Sequence, residues 1–236
     1  MRPGAAAPLL CGALLLGAVD APLADPSGGV RGKVALGVEG LPLAAVAPVV
    51  VYLEPLDGAA PGGAPSAPAS MHQRDARFSP SFLVVVAGQS VKMANDDAIY
   101  HNVFSYSRPN DFDLGLYPAG ESRTLVLRHT GIVKLYCSIH ESMNATILVV
   151  PTRWFDTVSA TGAYALIGVR PGRYRAVIWA ERLPSTTREI EIAAGQTVVV
   201  DWVIGTPSAA PQSSLNVAPR TRVASSAGNA AAIRKP

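Results

Sequence analysis

The sequence predicts an all-β chain, and three observations carry that prediction. The structured stretches are short apolar runs rich in Val, Ile, Leu, Thr and Tyr, cut at intervals by Gly and Pro. Beyond the N-terminus no long segment repeats its apolar residues at helical spacing. Hydrophobic residues make up 49% of the 236 and charged residues 16%, which is enough apolar material for one large or two small cores.

The chain opens on "MRPGAAAPLLCGALLLGAVDAPLADP". One Arg precedes an apolar run from Gly4 to Val19 that is shorter than the ~20 residues a membrane span needs. This is the pattern of a signal peptide over residues 1–24. It places the mature chain in the periplasm or outside the cell, with no membrane span after cleavage. Cleavage also removes Cys11 and leaves Cys137 as the one cysteine, so an intramolecular disulfide is excluded. A lone thiol in an oxidising compartment is either a buried small hydrophobe or a group with a task.

Residues 25–70 contain two or three strands in "VRGKVALGVEGLPLAAVAPVVVYLEPL", then the Gly/Pro/Ala/Ser run "DGAAPGGAPSAPAS", which reads as a flexible loop. These strands are expected to pack on the domain that follows. Residues 71–151 hold the densest strand pattern. "FSPSFLVVVAGQSVKMAN" reads as strand, turn at Ala87-Gly88-Gln89, and strand. "HNVFSYS" begins another. "ESRTLVLRHTGIVKLYC" reads as two strands joined at Thr130-Gly131, and "ATILVV" closes the set before Pro151. Residues 152–205 form a second unit, with alternating apolar residues at Tyr164 and Leu166 and, past Pro171-Gly172, at Tyr174, Ala176 and Ile178. Some fifty residues make a small independent core, so this unit is expected to lean on the preceding one or to borrow its strands. Residues 206–236 lack periodicity and aromatics and read as a disordered tail.

The net charge of +3 is modest and the basic residues are scattered, without the basic–aromatic interleaving of a nucleic-acid surface. No Ser/His/Asp arrangement, phosphate loop or His-Glu-x-x-His motif is present, and four histidines in all are too few for a multi-copper enzyme. The chain is therefore expected not to be an enzyme.

The chemistry concentrates in "LYCSIHESMNATI", residues 135–147. Cys137, His140 and Met143 offer a thiolate, an imidazole and a thioether, soft or borderline ligands that suit copper far better than calcium or magnesium. Zinc more often recruits several thiolates or histidines. The Cys-x-x-His-x-x-Met spacing lets one tight loop bend three donors toward one point. A trigonal copper site needs a second imidazole, and the candidate is His101 in "MANDDAIYHNVFSYS". His129, in the turn before Gly131, and His72, at the edge of the flexible loop, read as solvent-facing. Met71 beside His72 is the only hint of an accessory copper cluster.

"NDDAIYHNV" followed by "KLYCSIHESM" resembles the cupredoxins, the blue copper proteins such as plastocyanin, azurin and amicyanin. The short ligand loop is most similar to that of amicyanin. The resemblance covers about residues 75–150 and implies a Greek-key β-sandwich binding one copper ion. His101, Cys137 and His140 would be equatorial ligands and Met143 the weak axial one. Asn102 would hydrogen-bond the ligand loop, Ser138 matches the small hydroxyl residue after the cysteine, and Tyr136 the aromatic before it. Glu141 departs from the family, where proline often follows the second histidine; it reads as a solvated glutamate. Residues 161–178, with Gly162-x-Tyr164 and Pro171-Gly172-x-Tyr174, resemble the carboxypeptidase-regulatory-like (transthyretin-like) module. That implies a small second β-sandwich after the cupredoxin. The whole is similar to bacterial exported plastocyanin-like or methylamine-utilisation proteins. These resemblances imply one-electron transfer, with a redox partner protein docking near His140. The alternatives are a periplasmic copper carrier or store, and a structural β-protein with a vestigial site. Oligomeric state is not readable from the residues.

Overall fold

The structure, a computed structural model, describes residues 27–58 and 63–205. The expected signal peptide (1–24) and tail (206–236) lie outside the described residues, as do residues 59–62 of the Gly/Pro/Ala loop. No helix among the described residues is long and apolar enough to cross a membrane.

Strands β1 (Gly28–Leu36) and β2 (Val49–Pro55) come first, separated by a single 3-10 turn at Leu43–Val46. The middle of the chain supplies β3 (Ala69–Arg74), β4 (Arg77–Ser79), β5 (Phe82–Val86), β6 (Ser90–Asn95), β7 (His101–Ser105), β8 (Phe112–Tyr117), β9 (Ser122–Val126), β10 (Gly131–Tyr136) and β11 (Asn144–Val150). The last segment supplies β12 (Phe155–Thr157), β13 (Ala163–Val169), β14 (Gly172–Ala180), β15 (Leu183–Ile192), β16 (Thr197–Val199) and β17 (Trp202–Ile204). The described residues are thus nearly all β, as the sequence predicts.

Four sheets make two sandwiches. In the first, the sheet β5-β11-β10-β7-β8 faces the sheet β4-β3-β6-β9. Its core runs from Met71 and Met93 through Val133, Leu135 and Ile147. In the second, β12-β2-β14-β15 faces a sheet of β13, β1, β16 and β17 around Leu53, Tyr164, Tyr174, Ile178 and Trp202.

Two expectations are corrected here. Strands β1 and β2 do not belong to the 71–151 domain: β1 pairs with β13 across the whole intervening chain, and β2 pairs with β12 and β14. The first sandwich is therefore inserted into the second rather than followed by it. The reason is burial. The 54 residues of 152–205 make only a marginal core alone, and Val30, Val34, Val49, Val51 and Leu53 supply the missing apolar face. Gly162 marks how closely β1 approaches: it sits at φ +83, and a Cβ there would meet the Val34 carbonyl oxygen at 2.4 Å. Second, "ESRTLVL" and "GIVKLYC" do not pair with each other. β9 joins β6, whereas β10 joins β11 and β7 in the facing sheet.

Strand β2 also touches the first sandwich. β2 is buried on both faces: Val49, Val51 and Leu53 enter the second sandwich, while Val50 enters a third cluster with Val86, Leu148, Val150 and Trp179. That cluster joins the outer face of β5 and β11 to the outer face of β2 and β14. Phe82 and Trp179 stack across it at 5.5 Å and 8°, an aromatic pair worth about 0.5–1.5 kcal/mol beyond its buried area. Ala64, in the loop read as flexible, packs against the same cluster. Burial on both faces explains why "VVVYL", "FLVVV" and "TILVV" are continuous apolar runs instead of alternating ones. Both sandwiches lie in one compact unit.

Candidate metal centre

The ligand loop, residues 137–143, is bracketed by the antiparallel pair Tyr136↔Asn144 that ends the β10–β11 ladder. Side chains alternate along a strand, so register decides what enters the core. On β10, Val133 and Leu135 face inward and Ile132 and Tyr136 outward; Cys137 continues the inward series and is buried. On β11, Ala145 and Ile147 face inward, and Met143, 1% exposed, continues that series backward. His101 opens β7 in register with inward Val103 and is 0% exposed. Three of the four expected ligands therefore stand at strand ends on inward-facing positions. His140 is delivered by the loop itself, which the Met143 N–H closes by donating to the His140 carbonyl at 2.9 Å.

One ligand atom each from His101, Cys137 and His140 lies within 4.8 Å of the other two. His101 Nδ1 is 3.8 Å from Cys137 Sγ, and the two imidazole rings sit 4.9 Å apart with 56° between their planes. Met143 belongs to the same buried cluster as Cys137. Asn102 is 5% exposed. Its Oδ1 accepts from the Ser138 N–H at 2.7 Å and from the Ser138 hydroxyl at 3.0 Å, tying β7 to the residue after the cysteine. The structure thus brings His101, Cys137 and His140 together, with Asn102 bonded to Ser138 beside them, and buries Met143 in the same core. It leaves His129 and His72 apart. His72 points out and pairs with Asp96, while Met71 is buried in the core. Neighbours on a strand face opposite ways, so the Met71–His72 pair forms no cluster.

Two features test whether these residues fit a metal ion. His140 Nδ1 is buried without a hydrogen-bond partner, a costly state for a polar atom unless something binds its lone pair. Burial pushes the Cys137 thiol up, but backbone donors at Asn102, Ile139 and His140, together with the His101 ring, outweigh it and bring the thiol down to about 6. A thiolate is the metal-binding form. Two imidazole nitrogens, a stabilised thiolate and a buried thioether fit copper better than a closed zinc tetrahedron.

One residue at this site has no counterpart in the sequence reading. Asp97 Oδ2 lies 2.7 Å from His101 Nε2, on the side of the ring away from Cys137. The same carboxylate accepts the N–H groups of Asp75 at 2.8 Å and Ala76 at 2.9 Å. The Ala76 hydrogen bond, followed by those from His101 and Asp75, holds its pKa below the usual carboxylate value against a burial effect that acts to raise it. Asn95, fully buried, shapes the turn: its side chain donates to the Ile99 and Tyr117 carbonyls and accepts from the Asp97 N–H.

Comparison with known proteins adds the following. Residues 154–200 match the family model described as polysaccharide lyase family 4, domain II, on the segment whose sequence resembles the carboxypeptidase-regulatory-like module. Among solved structures, the chain is similar to a purple cupredoxin from Nitrosopumilus maritimus, with 23% identity over 35% of this chain and 99% of that one, TM-score 0.32. It is also similar to a copper(I) form of an amicyanin mutant, with 16% identity over 35% of this chain and 82% of that one, TM-score 0.34. No curated protein matches it in sequence.

Proposed function

We propose that the chain is an exported type 1 copper protein that binds one copper ion through His101, Cys137, His140 and Met143 and carries one electron. The observation that supports this best is the convergence within 4.8 Å of one donor atom each from His101, Cys137 and His140, the last of which also buries an unpartnered Nδ1. Copper, when bound, supplies a one-electron couple. The chain's own residues keep the geometry nearly constant through that change. His101 opens β7 and Cys137 directly follows its partner strand β10, the Asn102–Ser138 hydrogen bonds hold the loop start, and Cys137 is buried. A rigid plane of two nitrogens and a thiolate, with a weak thioether, suits both oxidation states.

His140 is only partly buried, and Ile139 beside it is 49% exposed. Phe104, Tyr106, Tyr136 and Glu141 line a cleft that reaches Cys137. This largely apolar surface suits a transient redox partner docking near His140. On this reading the protein turns over no substrate alone and works in the periplasm or outside the cell. The methylamine-utilisation association and the carboxypeptidase-regulatory-like identity of the second sandwich rest on sequence resemblance. A copper carrier or store is the second reading, and the burial of Met71 weighs against it because the accessory Met/His cluster does not form.

The test is the visible spectrum of the full chain after addition of Cu(II). An intense band near ~600 nm is expected from a short copper–thiolate bond in a His₂Cys set. A protein that stays colourless and binds only Cu(I) would overturn electron transfer.

A further inference from the structure

We propose that Asp97 is a positioning residue of this centre: it holds the His101 proton on Nε2, keeps Nδ1 free and aimed at Cys137, and places one fixed negative charge behind the ligand. The inference rests on the copper-binding reading for its consequence, but its geometry is independent of it.

The carboxylate is fully committed. Oδ1 accepts the Asp75 amide, and Oδ2 accepts both the Ala76 amide and the approach of His101 Nε2 at 2.7 Å. An oxygen already accepting an N–H leaves the imidazole to bring the proton, so Nε2 donates and Nδ1 carries the lone pair. Nδ1 is the nitrogen 3.8 Å from Cys137 Sγ. The partner amides come from a two-residue turn between β3 and β4 in which Asp75 and Ala76 both lie in the left-handed region, at φ +53 and +51. An alanine there is disfavoured by its Cβ, and the two hydrogen bonds to Asp97 compensate. The turn locks the carboxylate, and the carboxylate locks the ring. Such outer hydrogen bonds orient ligating histidines and raise their basicity. The neighbouring Asp96 provides a control: it carries the same charge one residue away but pairs with His72 and Arg74.

The test uses the full chain as wild type, Asp97→Asn, Asp97→Glu and Asp96→Asn. In the metal-free wild type, 15N–1H NMR of the imidazoles is expected to show His101 as the Nε2–H tautomer alone, and Asp96→Asn should match it. Asp97→Asn is expected to bind Cu(II) about 10–100-fold more weakly in chelator competition and to shift the reduction potential upward. Asp97→Glu, which keeps the charge, should restore part of the potential. The proposal is overturned if the wild-type proton sits on Nδ1. It also falls if Asp97→Asn matches Asp96→Asn in both affinity and potential. A wild type that binds no copper sinks the copper reading instead, and the tautomer, read without metal, then decides the role of Asp97 alone. The same measurement decides it if Asp97→Asn fails to fold.

Discussion

The sandwich built from β1, β2 and β12–β17 buries its polar side-chain atoms in pairs. The Tyr164 hydroxyl donates to the Val200 carbonyl and accepts from the Trp202 indole, Trp154 donates to the Gly168 carbonyl, and Thr152 donates to that of Leu53. The sandwich built from β3–β11 treats polar groups differently at one end. It buries Gln73, Asn95, His101 and Asn102, and both unpartnered buried side-chain atoms among the described residues, Gln73 Oε1 and His140 Nδ1, lie within it. Gln73 Nε2 donates to the Tyr117 hydroxyl and the Ala94 carbonyl, so its Oε1 is a single isolated acceptor. The His140 atom belongs to a ring that meets the Cys137 thiol and the His101 imidazole. The two halves share an architecture and a buried seam, but only one leaves lone pairs converging on a point. A closed hydrogen-bond account marks a scaffold, and an open one marks the place where something binds.

The comparison breaks most sharply at Cys137. Cys137→Ala is expected to abolish the ~600 nm band entirely while the far-ultraviolet circular dichroism stays that of a β-protein. A coloured variant would place the thiolate elsewhere. The mirror experiment is Trp202→Ala in the other sandwich. It should cost about 3–5 kcal/mol in denaturant unfolding and leave the colour intact below the transition; loss of colour would show that the halves are not separable in function. Asn102→Ala lies between these two. It leaves the Ser138 donors without their acceptor, at about 1–3 kcal/mol, and should also shift the absorption band, which a purely structural residue would not do.

The smallest expected effect lies where the halves touch. Lys134 on β10 and Thr146 on β11 both donate to Glu181, just past β14. The Lys134 hydrogen bond, with its charge, holds the Glu181 carboxyl below its ordinary value. Its folded pKa is therefore lower than its unfolded one, so its contribution is present above the unfolded value, about pH 4.3, and is lost as pH falls through the folded value. The pair is partly exposed, which limits it to roughly 0.2–1 kcal/mol. Melts of wild type and Glu181→Gln should differ at pH 7 and draw together as pH falls below the unfolded value toward the folded one; a constant gap would refute the assignment. His129→Ala should change neither colour nor potential.

The ligand loop was legible because its three donors fall within seven residues and Cys137 is the only cysteine left after the predicted cleavage. His101 was legible as the second imidazole a trigonal site needs, and the resemblance of "NDDAIYHNV" added to that. Asp97 was not, because "NDD" reads as any polar turn: which of Asp96 and Asp97 meets the imidazole depends on how the 75–76 turn folds against it. β8 escaped notice as well, since "FDLGLY" is broken by Gly115 at φ +67 and is largely exposed.

By itself the sequence determined the β character, the inward parity that carries Cys137 and Met143 toward one core, and the soft donor set. These follow from the two-residue period of a strand and from side-chain chemistry, both local properties. Only the tertiary structure decided that β1 and β2 close the distant second sandwich, that Met71 and His72 lie on a strand paired with β6, and that a carboxylate stands behind His101. Pairing partners are chosen by which apolar faces complete each other's burial across the whole chain, and no local pattern carries that information.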